Sequence, residues 1–427
     1  LELRRNGGGP VHINLITTYS RDFSVKELPH VKVIRRFQAW DELPVLPEGR
    51  IGIYVGSHTH FSEKQNRAID RFCATYDAIV ICDHTSGYYG KYKLLPTLVQ
   101  LQSDITSPFP PLDLMVHIGE ISAASFNDTI PAKEVWRVSE DGELRDPFKK
   151  LTTVFQMSEE IFFLHYGKDG CNRHVLIDEC RELFGEIYEQ IPELPFCNIW
   201  TAMQLSSRLP KGALFHMGVS NTRRCWNMFQ LPESVESACN VGCCGIDGCV
   251  STLVGASLVN PDRLCYVVVG DLTFFYDLNS LGNHHIGTNL RVMLVNNGRG
   301  TEFRLGIHHC NVFGDDADKY MAAAGHFGNK SPLLVKHYAE DLGFHYLSAT
   351  TKEEFMTALS NFTNPQLSDH SMILEVFTDS KDESEALYLM SHIQSDAKGM
   401  VRSKLKDAVR NVAGEKGINA IKKILKK

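Results

Sequence analysis

Leu264-Cys265-Tyr266-Val267-Val268-Val269-Gly270-Asp271 and Arg291-Val292-Met293-Leu294-Val295-Asn296-Asn297-Gly298 decide the fold of this chain. Each is a short apolar run closed by polar residues, the pattern of a strand buried on both faces of a parallel sheet. Between them, Thr273 to Leu281 repeats apolar residues at helical spacing. The unit therefore reads as β-α-β, with both polar ends at one edge of a sheet, where open α/β sheets bind their ligands. Gly-Asp alone is a turn and Asn-Asn alone is a loop. Here they lie twenty-six positions apart, Asp271 to Asn297, each closing a buried strand. A carboxylate and an amide oxygen are hard donors, suited to an octahedral Mg2+ that also takes diphosphate oxygens and a main-chain carbonyl. Arg299 offers that carbonyl.

The 427 residues suffice for two or three domains, and 43% hydrophobic with 22% charged residues is ordinary globular composition. A net charge of -7 provides no cationic field for a polyanion, so no nucleic-acid partner is expected. The twelve cysteines are scattered, and Cys239, Cys243, Cys244 and Cys249 crowd one Gly-rich stretch without Cys-x-x-Cys pairs. They read as reduced thiols rather than a zinc site, which makes the cytoplasm the expected compartment. No apolar run is long enough to span a bilayer. Gly-x-Gly-x-x-Gly after a strand, Walker A and Gly-x-Ser-x-Gly are all missing, which argues against dinucleotide, nucleoside triphosphate and α/β-hydrolase sites.

Upstream, a strand at Gly52 to Val55, a helix at Glu63 to Tyr76 and a strand at Ala78 to Cys82 repeat the β-α-β pattern. Further strands are expected at Leu112 to Ile118 and Glu134 to Val138, and roughly 150–190 reads as helical. Residues 36–190 form one expected α/β domain and 191–380 a second, beginning with the amphipathic stretch Trp200 to Leu209 and the strand Gly212 to His216. The glycine-punctuated segment Gly245-Ile246-Asp247-Gly248 lets backbone approach a ligand, and Cys249 to Leu258 follows as a helix. Residues 1–35 enter a strand near Val11 to Leu15 with nothing before it and no initial Met, as if cut from something longer. The tail within 381–427 holds ten Lys and Arg against three Asp and Glu from Ser391 onward, with Val401, Leu405, Ala408 and Val412 on one helical face. Docking on its own domain is the plainer reading, and contact with an anionic membrane the alternative.

These segments resemble the thiamine diphosphate enzymes of the menaquinone pathway, the SEPHCHC synthase (MenD) family. The resemblance rests on Gly245-Ile246-Asp247-Gly248 with Ser251-Thr252 and Gly255, on Gly270-Asp271-Leu272-Thr273 with Tyr276-Asp277-Leu278-Asn279, and on Asn296-Asn297-Gly298. It implies tandem Rossmann-like parallel-sheet domains: residues 1–35 the end of a pyrimidine-binding domain and linker, 36–190 the central domain, 191–380 the diphosphate-binding domain. It implies thiamine diphosphate and Mg2+, with Asp271, Asn297 and the Arg299 carbonyl on the metal. Gly245, Gly270, Leu272 and Thr273 would lie at the cofactor, and Ile246 would be the apolar wedge beneath it. Ser220 and Arg224 match substrate-contacting positions, and Arg224 suits bidentate hold of an oxoacid carboxylate; a surface salt bridge is the plainer role for any single Arg. Phe303 matches a catalytic-site position. Glu302 stands where the family has an apolar residue, and could be an added proton-transfer group, a reader of a cationic or hydroxylated acceptor, or a side chain turned to solvent.

The implied reaction is decarboxylation of a 2-oxoacid, such as 2-oxoglutarate, with transfer of its acyl residue to an acceptor, isochorismate in the named activity. Two departures point toward a different oxoacid or acceptor: Val241 replaces an expected Arg, and Ser125-Phe126 an expected Lys-Arg pair. The catalytic Glu of the pyrimidine domain would precede this chain, so the piece alone is expected to be inactive. A homodimer, or a dimer of dimers, would complete the site. A non-catalytic, cofactor-binding or structural subunit is the remaining alternative.

Overall fold

The computed structural model describes residues 2–14, 24, 27, 32–105, 109–120, 130–242, 245–306, 308–320, 328 and 330–395. Two compact units divide the chain, one built from 1–82, 88–94 and 109–181, the other from 83–87, 95–108 and 182–427. Each holds one wholly parallel sheet, so the α/β expectation is met in both.

The first unit carries seven strands: β1 (Arg35–Gln38), β2 (Ile51–Val55), β3 (Ile79–Ile81), β4 (Lys93–Leu94), β5 (Leu112–Ile118), β6 (Ala132–Ser139) and β7 (Leu151–Gln156). Their spatial order is β1-β7-β6-β5-β2-β3-β4. β2 is buried at every residue, as a strand covered by helices on both faces should be. The helix Glu63–Tyr76 starts where sequence places it because Ser62 and Gln65 form a reciprocal capping box. It ends at Asp77, which takes a left-handed conformation with φ 54°. One expectation needs correction here. The stretch 150–190 is not helical throughout: Leu151–Gln156 is a strand, and only Glu159–Tyr166 and Val175–Glu189 are helices. β7 is six residues of Thr, Val, Phe and Leu with one Gln, too short to show against the Glu- and Leu-rich helices after it. Residues 11–14 form no strand either; Ile13 is 75% exposed, with no sheet neighbour covering it among the described residues.

The second unit carries β8 (Leu214–Met217), β9 (Glu236–Cys239), β10 (Cys265–Gly270), β11 (Leu290–Asn296), β12 (His345–Ala349) and β13 (Met372–Phe377), in the order β12-β13-β11-β10-β8-β9. From β8 the chain steps outward to β9, then returns to the other side of β8 to lay down β10 and β11. The direction of winding therefore reverses between β8 and β10, and a crevice opens outside their carboxyl ends. The core on one face of the sheet is apolar: Val267, Val269, Val292 and Leu294 pack with Cys249, Val250, Leu253 and Phe274 from the helices Cys249–Val259 and Asp271–Tyr276. Burying each such side chain stabilises by about 1.5–3 kcal/mol. Among the described residues no helix is long and apolar enough to cross a membrane. The basic tail with Val401, Leu405, Ala408 and Val412 lies outside the described residues, as do Ser125, Phe126, Cys243 and Cys244.

Candidate active site

β10 and β11 pair in parallel register with Gly270 opposite Val295, so the chain leaves both strands at the same level. Asp271 follows Gly270 directly, opens the helix Asp271–Tyr276 and is 2% exposed. Its Oδ1 accepts the Leu272 N–H at 2.8 Å. On the neighbouring strand Asn296 turns inward and Asn297 follows it into a turn at Gly298, whose φ of 80° favours glycine. The Asn296 Oδ1 accepts the Gly298 N–H at 3.3 Å, and the Asn297 Oδ1 takes a long contact from the Arg299 N–H at 3.4 Å. Gly270, Asp271, Leu272 and Thr273 are thus brought beside Asn297 and Arg299 at one sheet edge.

The donors present fit Mg2+. Asp271, Asn297 and the Arg299 carbonyl are all hard oxygens, and a buried carboxylate at a ligand-binding edge suits a cation better than a bare turn. A second acid deepens that argument: Glu375 on β13 is 1% exposed, and burial pushes its carboxyl up, with the nearby Asp271 adding to the rise. Bonds from Asn296 Nδ2 at 2.7 Å and the Tyr346 hydroxyl at 2.7 Å work against that rise. Among the described residues no three His, Cys, Asp or Glu side chains gather as a metal cluster, as expected for a set with a single carboxylate. Sequence reasoning passed over Glu375, although a lone acid in the apolar run Met372-Ile373-Leu374-Glu375-Val376-Phe377 is a visible signal.

Ile246 lies in the loop after β9, half-buried, two residues before Gly248 opens the helix Cys249–Val259 with φ 79°. That helix is tied to the segment after Asp271–Tyr276, since the Ser251 N–H donates to Asp277 Oδ2 at 2.6 Å. Gly245 precedes Ile246 on the same loop.

The loop after β8 carries Gly218, Ser220 and Arg224. Gly218 donates to the Val268 carbonyl at 2.7 Å, and a Cβ there would meet that oxygen at 3.3 Å, so glycine permits the loop's close approach to β10. Ser220 holds φ 59°, ψ -122°, a region L-residues rarely occupy. Arg224, in the helix Asn221–Trp226, reaches Glu302 in the short helix Thr301–Arg304 that follows the Asn297 turn. Two parallel bonds join them, Nη1 to Oε2 at 2.9 Å and Nη2 to Oε1 at 2.7 Å. The Asn221 side chain adds a 3.4 Å contact to Nη1. Burial works to lower the Arg224 pKa and the Glu302 carboxylate overrides it, so the guanidinium is held above its ordinary value. Of the three readings of Glu302, a side chain turned to solvent is therefore replaced by an ion pair. Phe303 is adjacent, its ring edge-on to His308 at 5.1 Å. Val241 is buried at 8% exposure.

The chain matches no protein-family model. It is similar to several curated 2-succinyl-5-enolpyruvyl-6-hydroxy-3-cyclohexene-1-carboxylate synthases. That of Bacteroides fragilis is 29% identical over 420 residues, covering 91% of this chain and 71% of the relative. That of Bacteroides thetaiotaomicron is 28% identical over 415 residues with the same coverage. The Flavobacterium johnsoniae synthase is 29% identical over 404 residues, 87% of this chain and 69% of its own length.

Proposed function

We propose that the chain, a thiamine diphosphate-dependent enzyme of the type of these synthases, decarboxylates 2-oxoglutarate and joins the remaining acyl residue to isochorismate, as a step of menaquinone biosynthesis. The observation that carries the reading is the buried Asp271 at the end of β10 beside the Asn297 turn at the end of β11, on strands paired in register. Bound thiamine diphosphate would supply the electron sink that loss of CO2 from a 2-oxoacid requires.

The protein's part is to bind and orient. Asp271, Asn297 and the Arg299 carbonyl would hold Mg2+ against the diphosphate, with Gly270, Leu272 and Thr273 lining its approach. Ile246 would give the cofactor apolar support from the loop after β9. Arg224, with Ser220 on the same loop, would hold an oxoacid carboxylate through its planar fork, which matches carboxylate geometry at two points. Phe303, next to Glu302, would stand beside the bound substrate. A homodimer, or a dimer of dimers, would complete the site, and the cytoplasm is the compartment this chemistry fits.

The test is CO2 release from 2-oxoglutarate by the full-length protein with thiamine diphosphate and Mg2+, with and without isochorismate. Release coupled to isochorismate consumption is expected. Mg2+-dependent cofactor binding without that coupling would overturn the substrate pair; no Mg2+-dependent binding would overturn the reading entirely.

A further inference from the structure

We propose that Glu302 is a specificity-determining residue that occupies the anion seat of Arg224, so that a substrate carboxylate reaches the guanidinium only by displacing it. The inference rests on the reading of Arg224 as the oxoacid's anchor. It begins from topology. Arg224 follows β8 and Glu302 follows β11, the two strands that flank β10, whose end carries Asp271. The pair therefore joins the loops on either side of the cofactor edge, at the crevice where the sheet's winding reverses.

Its geometry is that of a bound ligand. Both guanidinium nitrogens of the fork are engaged, at 2.9 and 2.7 Å, by the two oxygens of one carboxylate. A free carboxylate would take the same two-point arrangement, so the internal and external anions compete for one seat. The side chains of Arg224 and Glu302 are 22% and 23% exposed. That is enough cover to make the pair worth forming and enough access for an anion to enter. Exposed pairs contribute little and fully buried ones resist exchange, and this one lies between.

The backbone around Glu302 favours movement of the side chain alone. Thr301 and Leu305 are 5% and 0% exposed and pin the turn on both sides, while Glu302 projects from between them toward Arg224. Exchange then needs a rotamer change rather than a loop opening. A ligand that must first empty its site binds more weakly by the fraction of molecules in which the site is open. Glu302 thus lowers affinity for every carboxylate that uses Arg224, and only a substrate with further contacts in the site overcomes it.

The experiment measures 2-oxoglutarate binding to the full-length protein by calorimetry, in the wild type, Glu302→Gln and Glu302→Ala, and in Glu302→Gln combined with Arg224→Gln. Emptying the seat is expected to tighten 2-oxoglutarate roughly tenfold in both single variants, and the gain should vanish in the double variant. Unchanged or weaker binding in both single variants would overturn the proposal, since an ion pair that only braces the two loops would loosen the site when broken. Mg2+-dependent thiamine diphosphate binding is measured on the same samples. Its loss in the wild type would count against the proposed function, whereas retained cofactor binding with no tightening counts against Glu302 alone.

Discussion

Glu375 on β13 accepts the side-chain amide of Asn296 on β11 at 2.7 Å, one residue before Asn297. The bond fixes the outgoing direction of the chain at the point where Asn297 would face the proposed cofactor. Tyr346 from β12 holds the other Glu375 oxygen, so three adjacent strands converge on one turn. Partners that orient a metal ligand typically contribute 10–100-fold to metal affinity. Glu375→Ala should therefore raise the Mg2+ concentration needed for half-maximal thiamine diphosphate binding by about tenfold or more. Glu375→Gln, which keeps an acceptor for Asn296, should lose less. Titration of Mg2+ against cofactor fluorescence quenching reads this directly, and equal Mg2+ requirements in Glu375→Ala and wild type would discount the positioning role.

Asp271→Ala removes the only carboxylate of the proposed metal set. Mg2+-dependent thiamine diphosphate binding should disappear in the full-length protein, while Asp271→Asn, which keeps an oxygen but not the charge, should retain a weakened response. Unchanged affinity in Asp271→Ala would sink the metal assignment. Circular dichroism of both variants separates lost binding from lost fold.

The strands that end at Asp271 and Asn297 are legible because they are buried on both faces and end abruptly in polar residues, as β10 and β11 do. The intervening helix is shorter than its apolar spacing implies. The helix Asp271–Tyr276 stops at Asp277, which leaves helical geometry at φ -115° and turns its carboxylate onto the Ser251 N–H, and Leu278–Gly282 continues as a 3-10 turn. A tertiary bond from a residue twenty-six positions away ends that helix, and periodicity carries no record of it. β9 and β12 are less legible for a related reason: Glu236–Cys239 and His345–Ala349 mix exposed and buried residues at the sheet's edges. Arg224 and Glu302 each stood out singly. Their meeting across seventy-eight positions depends on strand order, which no local pattern encodes.

Ser220 sits at φ 59°, ψ -122° without a side-chain cap bond to the helix it precedes. Such a conformation costs an ordinary residue about 1–3 kcal/mol and glycine far less. Ser220→Gly should accordingly raise the urea midpoint, by an amount equivalent to roughly 1 kcal/mol once the extra freedom of the unfolded glycine is subtracted. If Ser220 contacts substrate, the same variant should raise KM for the oxoacid. A lower urea midpoint would show that the surrounding loop, rather than the residue, favours the conformation.

Glu383 gives a pH dependence of stability with a definite sign. It is 1% exposed, and its Oε1 accepts the Asn198 N–H at 2.9 Å and the Thr378 hydroxyl at 3.0 Å. Burial pushes its carboxyl up to about 7, against the opposing pull of those bonds. The folded protein therefore binds this proton more tightly than the unfolded chain, whose Glu titrates near its ordinary value. The stability linked to it is fully present below the unfolded pKa, near 4.5, and is lost as pH rises through 7. Glu383→Gln keeps the acceptor and removes the titration. Relative to wild type, the variant should gain stability between pH 5 and pH 8, with a ceiling of about 3 kcal/mol. Urea denaturation of both proteins at the two pH values measures the difference, and a gap that stays constant or narrows would show that Glu383 is already ionised in the fold.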